Sequence, residues 1–510
     1  MKTLQKSYLK NIKGLLLAAP ILAIGLNAQA QLSLNGHFYG EDALLFSSEK
    51  ITGTARTQGM GGNYSSIGAD ASNAFGNPAG LGFYNRSELS ITPVFTNYST
   101  QTNYIGNTSN ASGSGLKIGQ FGLIMNSNGV GTRKKRSSFA ITYSTHANFL
   151  TGINYQGVNN RSSMSDYFAE KATQRGANTT TLDNEFNPNT GQSDTQTSMY
   201  YQSYLIDPLN GGGYGATELS TPVNQAGTVS TMGKTSQFTM GYGANFDDRT
   251  YIGASLGIVR LNYETINDHN EAFPKGQIFN GFNYNDDLVT RGSGINLSVG
   301  AITKVTDDLQ FGVSVTTPTA FSMSESYYSS ITIDNKPKTF TTDFKKIEAL
   351  PSDYSYKVTT PLKANAGFTF FLPKKLGFIT ADAQYVGYRN MGVRDPQDTQ
   401  WSAAQKSAIQ SAYKDVVNLK IGGEIRINQA RLRAGINYLA DPVRKTNNSQ
   451  IIPTIGAGYR TNKFFFDVAG VFNSYSSSYT PYQLNNISDY ASAAVKTRTS
   501  NFVFSVGTFF

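Results

Sequence analysis

The sequence contains no cysteine and only three histidines among 510 residues. The absence of cysteine excludes disulfides, thiolate metal sites and cysteine nucleophiles. The histidines, His37, His146 and His269, lie far apart in the sequence and match no metal-binding or catalytic spacing. We therefore predict no metal, no cofactor and no enzymatic activity.

Charged residues and long apolar runs are also scarce. Asp, Glu, Lys and Arg together make up 15% of the chain, against about 25% in ordinary soluble domains. Beyond the N-terminal leader, no segment reaches the roughly 18 consecutive apolar residues of a membrane-spanning helix. The net charge of +9 falls to +5 without the four lysines of the leader, which is too modest to favour nucleic acid as a partner. Tyrosine (30), phenylalanine (31) and glycine (50) are abundant. This composition suits β-strands and argues against a disordered chain.

Residues 1–30 have the three parts of a secretory signal peptide. Four lysines in the first thirteen residues give a basic start, an apolar run covers 14–26, and residues 28–30 (Ala-Gln-Ala) form a small-x-small cleavage signal. The apolar run is too short to span a bilayer as a helix. We therefore predict that the mature chain begins at Gln31 and is exported to the periplasm or the outer membrane of a Gram-negative cell.

Most of the remaining sequence alternates with a period of two, which is typical of β-strands. In the last ten residues, Phe502, Phe504 and Val506 lie on one face, and Val503 and Ser505 lie on the other. Fourteen segments show this pattern, and they begin near Ser87, Leu116, Phe139, Ser236, Tyr251, Gly294, Leu309, Leu362, Phe378, Leu419, Arg431, Ile451, Phe464 and Asn501.

The connectors between these segments alternate between short and long. Short connectors such as 247–250 and 428–430 are interleaved with long ones at 146–235, 264–293, 318–361, 389–418 and 473–500. Transmembrane β-barrels show this alternation because their periplasmic turns are short and their extracellular loops are long. A closed barrel also satisfies every backbone hydrogen bond in lipid. We therefore predict an all-β fold over residues 87–510: a transmembrane antiparallel β-barrel of about 14 strands, with a short helix near 401–413 on one loop.

Residues 31–86, which precede the first strand, do not follow the alternation. Small residues and turn formers occur there in three groups, Gly59-Met60-Gly61-Gly62, Gly68-Ala69-Asp70 and Asn77-Pro78-Ala79-Gly80. A segment of this length cannot bury much core alone, but it can pack inside the lumen of a barrel of this size. We predict an N-terminal hatch, or plug, that packs through Gly59, Gly61, Gly62, Gly68 and Asp70.

The same residues resemble a known family. The run from Thr54-Ala55-Arg56 to Gly61-Gly62, then Gly68-Ala69-Asp70 and Asn77-Pro78-Ala79-Gly80-Leu81, resembles the N-terminal hatch of the FadL-type outer-membrane transport proteins. Segments within 360–388 and 431–467 resemble their later strands. The resemblance implies a monomeric fourteen-stranded barrel whose hatch gates through Asn77, Pro78, Ala79 and Gly80. It also implies uptake of long-chain fatty acids or other hydrophobic compounds by loop capture, hatch movement and lateral release.

The connector at 146–235 contains the candidate ligand-capture loop. Its apolar candidates are Phe149, Leu150, Tyr155, Tyr167 and Phe168. The connector is otherwise rich in Ser, Thr, Asn and Gly, with few of the large aliphatic side chains that a fatty-acid groove would use. The kind of hydrophobic ligand therefore stays open.

The expected partners are a hydrophobic small molecule, outer-membrane lipid and, during insertion, the barrel-assembly machinery, since the terminal Phe510 resembles the C-terminal signature that this machinery reads. Three other functions stay open. The protein could be a scaffold or shuttle of the same family in a protein-secretion system, an outer-membrane phospholipase, which needs a Ser–His pair, or a general porin. A folded hatch argues against the porin, because it predicts little steady conductance.

Overall fold

The computed structural model describes residues 39–48, 50–128, 134–217, 222–274, 280–334 and 344–510. The predicted signal peptide and residues 31–38 of the predicted hatch lie outside these ranges. Within them, no helix combines the length and the apolar character needed to cross a membrane.

Strands make up most of the described chain. In chain order they are β1 (Glu88–Tyr104), β2 (Asn107–Asn128), β3 (Lys134–Asn148), β4 (Thr151–Asn159), β5 (Phe186–Asn187), β6 (Gln192–Ser193), β7 (Ile206–Pro208), β8 (Tyr214–Ala216), β9 (Val223–Phe246), β10 (Thr250–Ala272), β11 (Gly281–Lys304), β12 (Leu309–Thr316), β13 (Ala320–Asp334), β14 (Lys346–Thr359), β15 (Lys363–Phe371), β16 (Gly377–Val386), β17 (Gly392–Arg394), β18 (Val416–Ile427), β19 (Ala430–Leu439), β20 (Gln450–Arg460), β21 (Phe464–Tyr479) and β22 (Ala493–Phe509).

Fourteen antiparallel wall strands close into one barrel. The first strand, β1, pairs with β2 on one side and with the last strand, β22, on the other. Four wall strands are each built from two consecutive pieces, namely β3 with β4, β12 with β13, β14 with β15, and β16 with β17. The predicted fold class and strand number are confirmed.

The wall strands are longer than the alternation predicted. β9, β10 and β11 contain 24, 23 and 24 residues. The connectors predicted at 264–293 and 318–361 are therefore largely strand, as are the ends of those predicted at 146–235 and 473–500. These loop boundaries were wrong because both faces of the strands become polar towards their ends, so the period-two pattern disappears there.

The two faces of the wall differ in polarity. Outward positions expose large apolar side chains such as Leu116 (74%), Ile421 (60%) and Ile455 (61%). Inward positions carry buried polar side chains such as Thr454 and Ser505. The apolar belt therefore faces lipid, and the interior of the barrel is polar.

Most of the described helices lie inside the barrel or at the end that carries the long connectors. The hatch contains α1 (Gly40–Ser47), α2 (Ala55–Gln58) and two 3₁₀ helices (Ala71–Ala74 and Pro78–Phe83). The connector between β4 and β9 contains α3 (Met164–Arg175), α4 (Thr179–Asn184) and α5 (Gln196–Gln202), and residues 160–217 are called the cap below. The helix predicted near 401–413 is confirmed as α6 (Thr399–Ala412), and two short 3₁₀ helices (Pro373–Lys375 and Tyr388–Asn390) complete the set described.

Candidate functional site

The hatch lies inside the barrel and is hydrogen-bonded to strands all around it. Its hydrogen-bond partners belong to five different wall strands. The Ala55 amide donates to Ser505 Oγ of β22 (2.8 Å), the Gly61 amide to Thr454 Oγ1 of β20 (2.9 Å) and Asn77 Nδ2 to the Val313 carbonyl of β12 (3.2 Å). Ser72 Oγ donates to Gln120 Oε1 of β2 (3.1 Å), and the hydroxyls of Ser66 and Thr369 of β15 are paired (2.8 Å). A segment with partners on every side of the wall can only lie within the lumen.

Wall glycines allow the hatch backbone to approach this closely. A Cβ atom on Gly253 would lie 2.3 Å from the Pro78 carbonyl carbon, and one on Gly435 would lie 2.4 Å from the Gly61 amide nitrogen. Gly300, Gly312 and Gly422 face the hatch in the same way. We call these five the glycine belt. It gives one physical reason for the high glycine content of the chain, since any side chain at these positions would overlap the hatch.

The hatch glycines predicted from sequence have different surroundings. Gly61 and Gly62 have φ angles of +76° and +78°, which side-chain-bearing residues rarely adopt. Gly59 touches β20 and β21, Gly68 faces the Phe83 ring, and Gly80 faces the Asn73 amide. All five lie where backbone meets a neighbouring segment at short range.

The remaining predicted hatch residue, Asp70, organises the hatch itself. Its carboxylate accepts hydrogen bonds from Thr54 Oγ1 (2.9 Å) and from the Ser72 amide (2.9 Å), and the latter caps the first 3₁₀ helix. Arg56 Nη1 lies 3.7 Å from the same carboxylate. Asp70 therefore joins α2 to the first 3₁₀ helix of the hatch.

An ion-pair network that sequence analysis missed ties the hatch to the wall. Arg56 Nε of the hatch lies 3.6 Å from Glu424 Oε2 of β18. Arg433 of β19 donates to that oxygen from Nε (2.8 Å) and to Asp467 Oδ1 of β21 from Nη1 (2.6 Å), and Arg426 Nε donates to Glu424 Oε1 (2.9 Å). The strand residues of this network, Glu424, Arg426, Arg433 and Asp467, occupy inward positions in the period-two alternation. Charged residues at inward positions are the sequence signal from which the network could have been predicted.

The predicted gating motif packs closely against the barrel wall. Asn77 caps the second 3₁₀ helix by accepting from the Ala79 amide (3.1 Å), and its Nδ2 donates to the Ser65 carbonyl (2.6 Å). Pro78 occupies the first helical position, where its missing N–H costs nothing. Asn77, Pro78, Ala79 and Gly80 are all buried.

Two cavities lie inside the barrel, next to this packed part of the hatch. We call them the inner cavities; their volumes are about 100 and 250 Å³, and both are bordered by Ser48, Lys50 and His146. The larger is also lined by Lys117, and the smaller by Lys420. Among the residues that the structure describes, the lining of both includes lysines and no carboxylate. Burial lowers the pKa of the Lys50 ammonium, because few groups there replace water.

The larger inner cavity borders a gap in the barrel wall. β2 pairs with β1 from Asn107 to Ile124, but it pairs with β3 only from Gln120 to Asn128. Beyond Asn148 the chain turns inward, and β4 packs behind β1, with Thr100 Oγ1 donating to the Gly152 carbonyl (2.6 Å). In the described part of the wall, Asn107–Gly119 of β2 therefore has no strand partner on this side. We call this break in strand pairing the wall gap; only side chains bridge it, with Asn154 Nδ2 of β4 donating to the Asn110 carbonyl (3.0 Å) and Thr145 Oγ1 of β3 to the Ile118 carbonyl (2.8 Å) among the described residues.

The predicted capture residues do not form one site. Phe149 and Leu150 line the larger inner cavity at the point where β3 ends. Tyr155 is buried and its hydroxyl is hydrogen-bonded to His269 Nδ1 (2.7 Å), Tyr167 lies in the cap, and Phe168 is fully buried in the core of the cap. Sequence alone could not separate these surroundings, because all five residues fall in one connector.

The overall fold is similar to that of two solved structures. A Pseudomonas aeruginosa FadL homologue superimposes with a TM-score of 0.55 at 13% identity, over 91% of this chain and 99% of that chain. The chain has the FadL-type fold. The Pseudomonas putida toluene transporter TodX shares this fold with a TM-score of 0.53 at 15% identity, over 90% of this chain and 99% of that chain. No family model and no curated protein matches the sequence, so the FadL-type likeness is one of structure.

Proposed function

We propose that the protein is an outer-membrane channel for facilitated uptake of hydrophobic small molecules. The observation that carries this proposal is the wall gap, which borders an internal cavity above a hatch that fills the rest of the lumen. A ligand in that cavity faces the lipid side of the barrel more directly than the periplasmic side. Such a path suits molecules that dissolve in lipid and would gain little from a water-filled pore.

The ligand of the inner cavities carries an acidic head group. Lys50 and Lys117 line the larger cavity together with apolar side chains such as Leu150, Ile452 and Val471. A carboxylate would offset the positive charge of the lysines, and an alkyl or aryl body would cover the apolar part. A long-chain fatty acid has both parts, whereas toluene has only the second.

Cells that lack the gene should take up labelled long-chain fatty acid more slowly than cells that carry it. The decisive variant is Gly115→Phe. A Cβ at Gly115 would lie 2.9 Å from Leu150 Cδ2, so a phenyl ring there obstructs the wall gap. We expect uptake to fall at least fivefold with unchanged surface expression. Ala383→Phe is the matched control, because Ala383 is an exposed residue of β16, which is paired with a strand on each side.

Normal uptake by the Gly115→Phe protein would contradict the lateral route. Unchanged uptake of fatty acids, toluene and other hydrophobes after gene loss would contradict the channel itself.

The acidic head group is tested separately with Lys117→Met, which keeps the length of the side chain and removes its charge. We expect weaker binding of fatty acid to the purified protein, by about tenfold since a charge-assisted hydrogen bond contributes roughly 1.5–3 kcal/mol. Binding of the uncharged fatty alcohol should not change. Equal loss for acid and alcohol would show that Lys117 acts through packing alone.

A further inference from the structure

A third cavity lies at the cap end of the barrel, outside the inner cavities. It has a volume of about 690 Å³ and lies between Tyr167 and Lys171 of α3 on one side and Glu325, Tyr354 and Trp401 on the other. We call it the outer cleft. Helix α1 separates it from the inner cavities, because Tyr39 before α1 lines the outer cleft while Leu45 and Phe46 near its end line the inner ones.

Aromatic rings form one wall of the outer cleft. The ring centroid of Tyr39 lies 5.4 Å from that of Trp401 and 5.8 Å from that of Tyr354, and the last two lie 6.2 Å apart. All three side chains are only partly buried, so parts of their rings remain open to the cleft. Exposed ring surfaces of this kind favour a ligand with a flat apolar face.

Carboxylates and hydroxyls lie beside these rings. Ser352 and Asp353 line the cleft next to an irregularity in the pairing of β13 with β14, where Leu350 and Pro351 are inserted opposite Tyr328. Such a bulge redirects the side chains that follow it. Asp194, Thr195 and Gln196 of the cap also line the cleft and follow Gln192–Ser193, which pair with Glu348–Ala349 of β14. The cleft therefore presents hydrogen-bond acceptors and donors beside the rings.

This combination selects against charged or purely apolar ligands. The lining carries the carboxylates of Asp194, Glu325 and Asp353 as well as the cations Lys171 and Arg175, the latter already paired with Glu185, so a ligand of either sign meets like charge as well as opposite charge. A hydrocarbon would remove these groups from water and provide no hydrogen bonds in return.

We propose that the outer cleft binds a neutral saccharide. One face of a sugar ring is made of C–H groups and packs on aromatic rings, while its hydroxyls donate to carboxylates and accept from amides and ammonium groups. The volume of about 690 Å³ suits one or two sugar rings. This binding does not depend on the proposed uptake of hydrophobic molecules, and either can fail without the other.

The only tryptophan of the chain, Trp401, lies in the outer cleft and reports on its occupancy. The full-length protein is purified in a detergent without a sugar head group, and its emission is recorded during titration with glucose, galactose, mannose, maltose, lactose and cellobiose. We expect a saturable change in emission with at least one of them. Choline and benzyl alcohol serve as cationic and aromatic probes and should produce none.

Asp353→Asn is the test variant, because Asp353 is exposed and its replacement does not threaten folding. We expect its dissociation constant for the sugar to rise at least fivefold. Asp207→Asn, an exposed substitution on β7 outside the cleft, should leave the dissociation constant unchanged. No saturable change with any sugar, an equal effect of both substitutions, or saturation by choline or benzyl alcohol instead would overturn the proposal.

Discussion

At the scale of single residues, one buried carboxylate ties the hatch to two wall strands, β18 and β19. Glu424 is 3% exposed and receives hydrogen bonds from Arg433 and Arg426 while Arg56 of the hatch lies 3.6 Å away. The inward position of Glu424 could be predicted from the alternation along β18. Its partner Arg56 could not, because that contact depends on how the closed barrel surrounds a segment more than 300 residues earlier in the chain.

Glu424→Gln should therefore destabilise the protein strongly. The substitution removes one of the negative charges that balance the buried cations Arg56 and Arg433. Loss of one partner of a buried ion pair lowers the free energy of unfolding by about 3–5 kcal/mol. Urea unfolding in detergent, followed by Trp401 emission, measures the effect. Glu348→Gln breaks the exposed pair with Lys346 and should cost about 1 kcal/mol or less. Equal effects of the two substitutions would show that the buried network adds no stability.

At the scale of elements, two parts of the hatch are fixed to the barrel by different kinds of contact. Residues 54–84 contact the glycine belt and the ion-pair network, whereas α1 packs through apolar contacts with residues such as Phe149 and Tyr263. The turn-forming composition of 31–86 could be predicted, and α6 was found from helix propensity. Helices α3 to α5 were not, because the connector from 146 to 235 is polar and its helices are fixed by packing within the cap.

A disulfide between the hatch and β21 tests whether the hatch moves during transport. A Cβ on Gly59 would lie 3.5 Å from the Cβ of Ala469, within the range that a disulfide requires. Because the chain has no cysteine, Gly59→Cys with Ala469→Cys gives a single defined cross-link. If gating through Asn77-Pro78-Ala79-Gly80 requires this part of the hatch to move, the oxidised protein should lose uptake and regain it on reduction.

The two single-cysteine variants are the controls for the cross-link and should transport under both conditions. Full transport by the oxidised double variant would show that ligands pass while this part of the hatch is fixed.

At the scale of the whole molecule, closure of the barrel and a break in its wall occur together. The count of fourteen strands followed from alternation and connector lengths, because each strand shows its lipid-facing side in its own sequence. The wall gap did not, because it arises where β4 turns behind β1 and leaves Asn107–Gly119 of β2 without a strand partner on one side. Strand pairing between distant residues is not encoded in the period of either strand.

The filled lumen predicts little steady ion conductance. The hatch is hydrogen-bonded to strands on every side, so no wide aqueous path is expected through the barrel. Single-channel recordings in planar bilayers should show no stable large pore at moderate voltage. A large constant conductance would instead support a general porin and contradict a closed hatch.

The length of β9 to β11 has a consequence for where a molecule first meets the protein. A strand of 24 residues spans about 80 Å at roughly 3.3 Å per residue, and a tilt of about 40° reduces this to a height of about 60 Å, against an apolar band of about 25 Å. The barrel wall at these strands therefore extends well beyond the apolar band of the bilayer. Compounds approaching from the medium touch its rim well before they reach the lipid head groups.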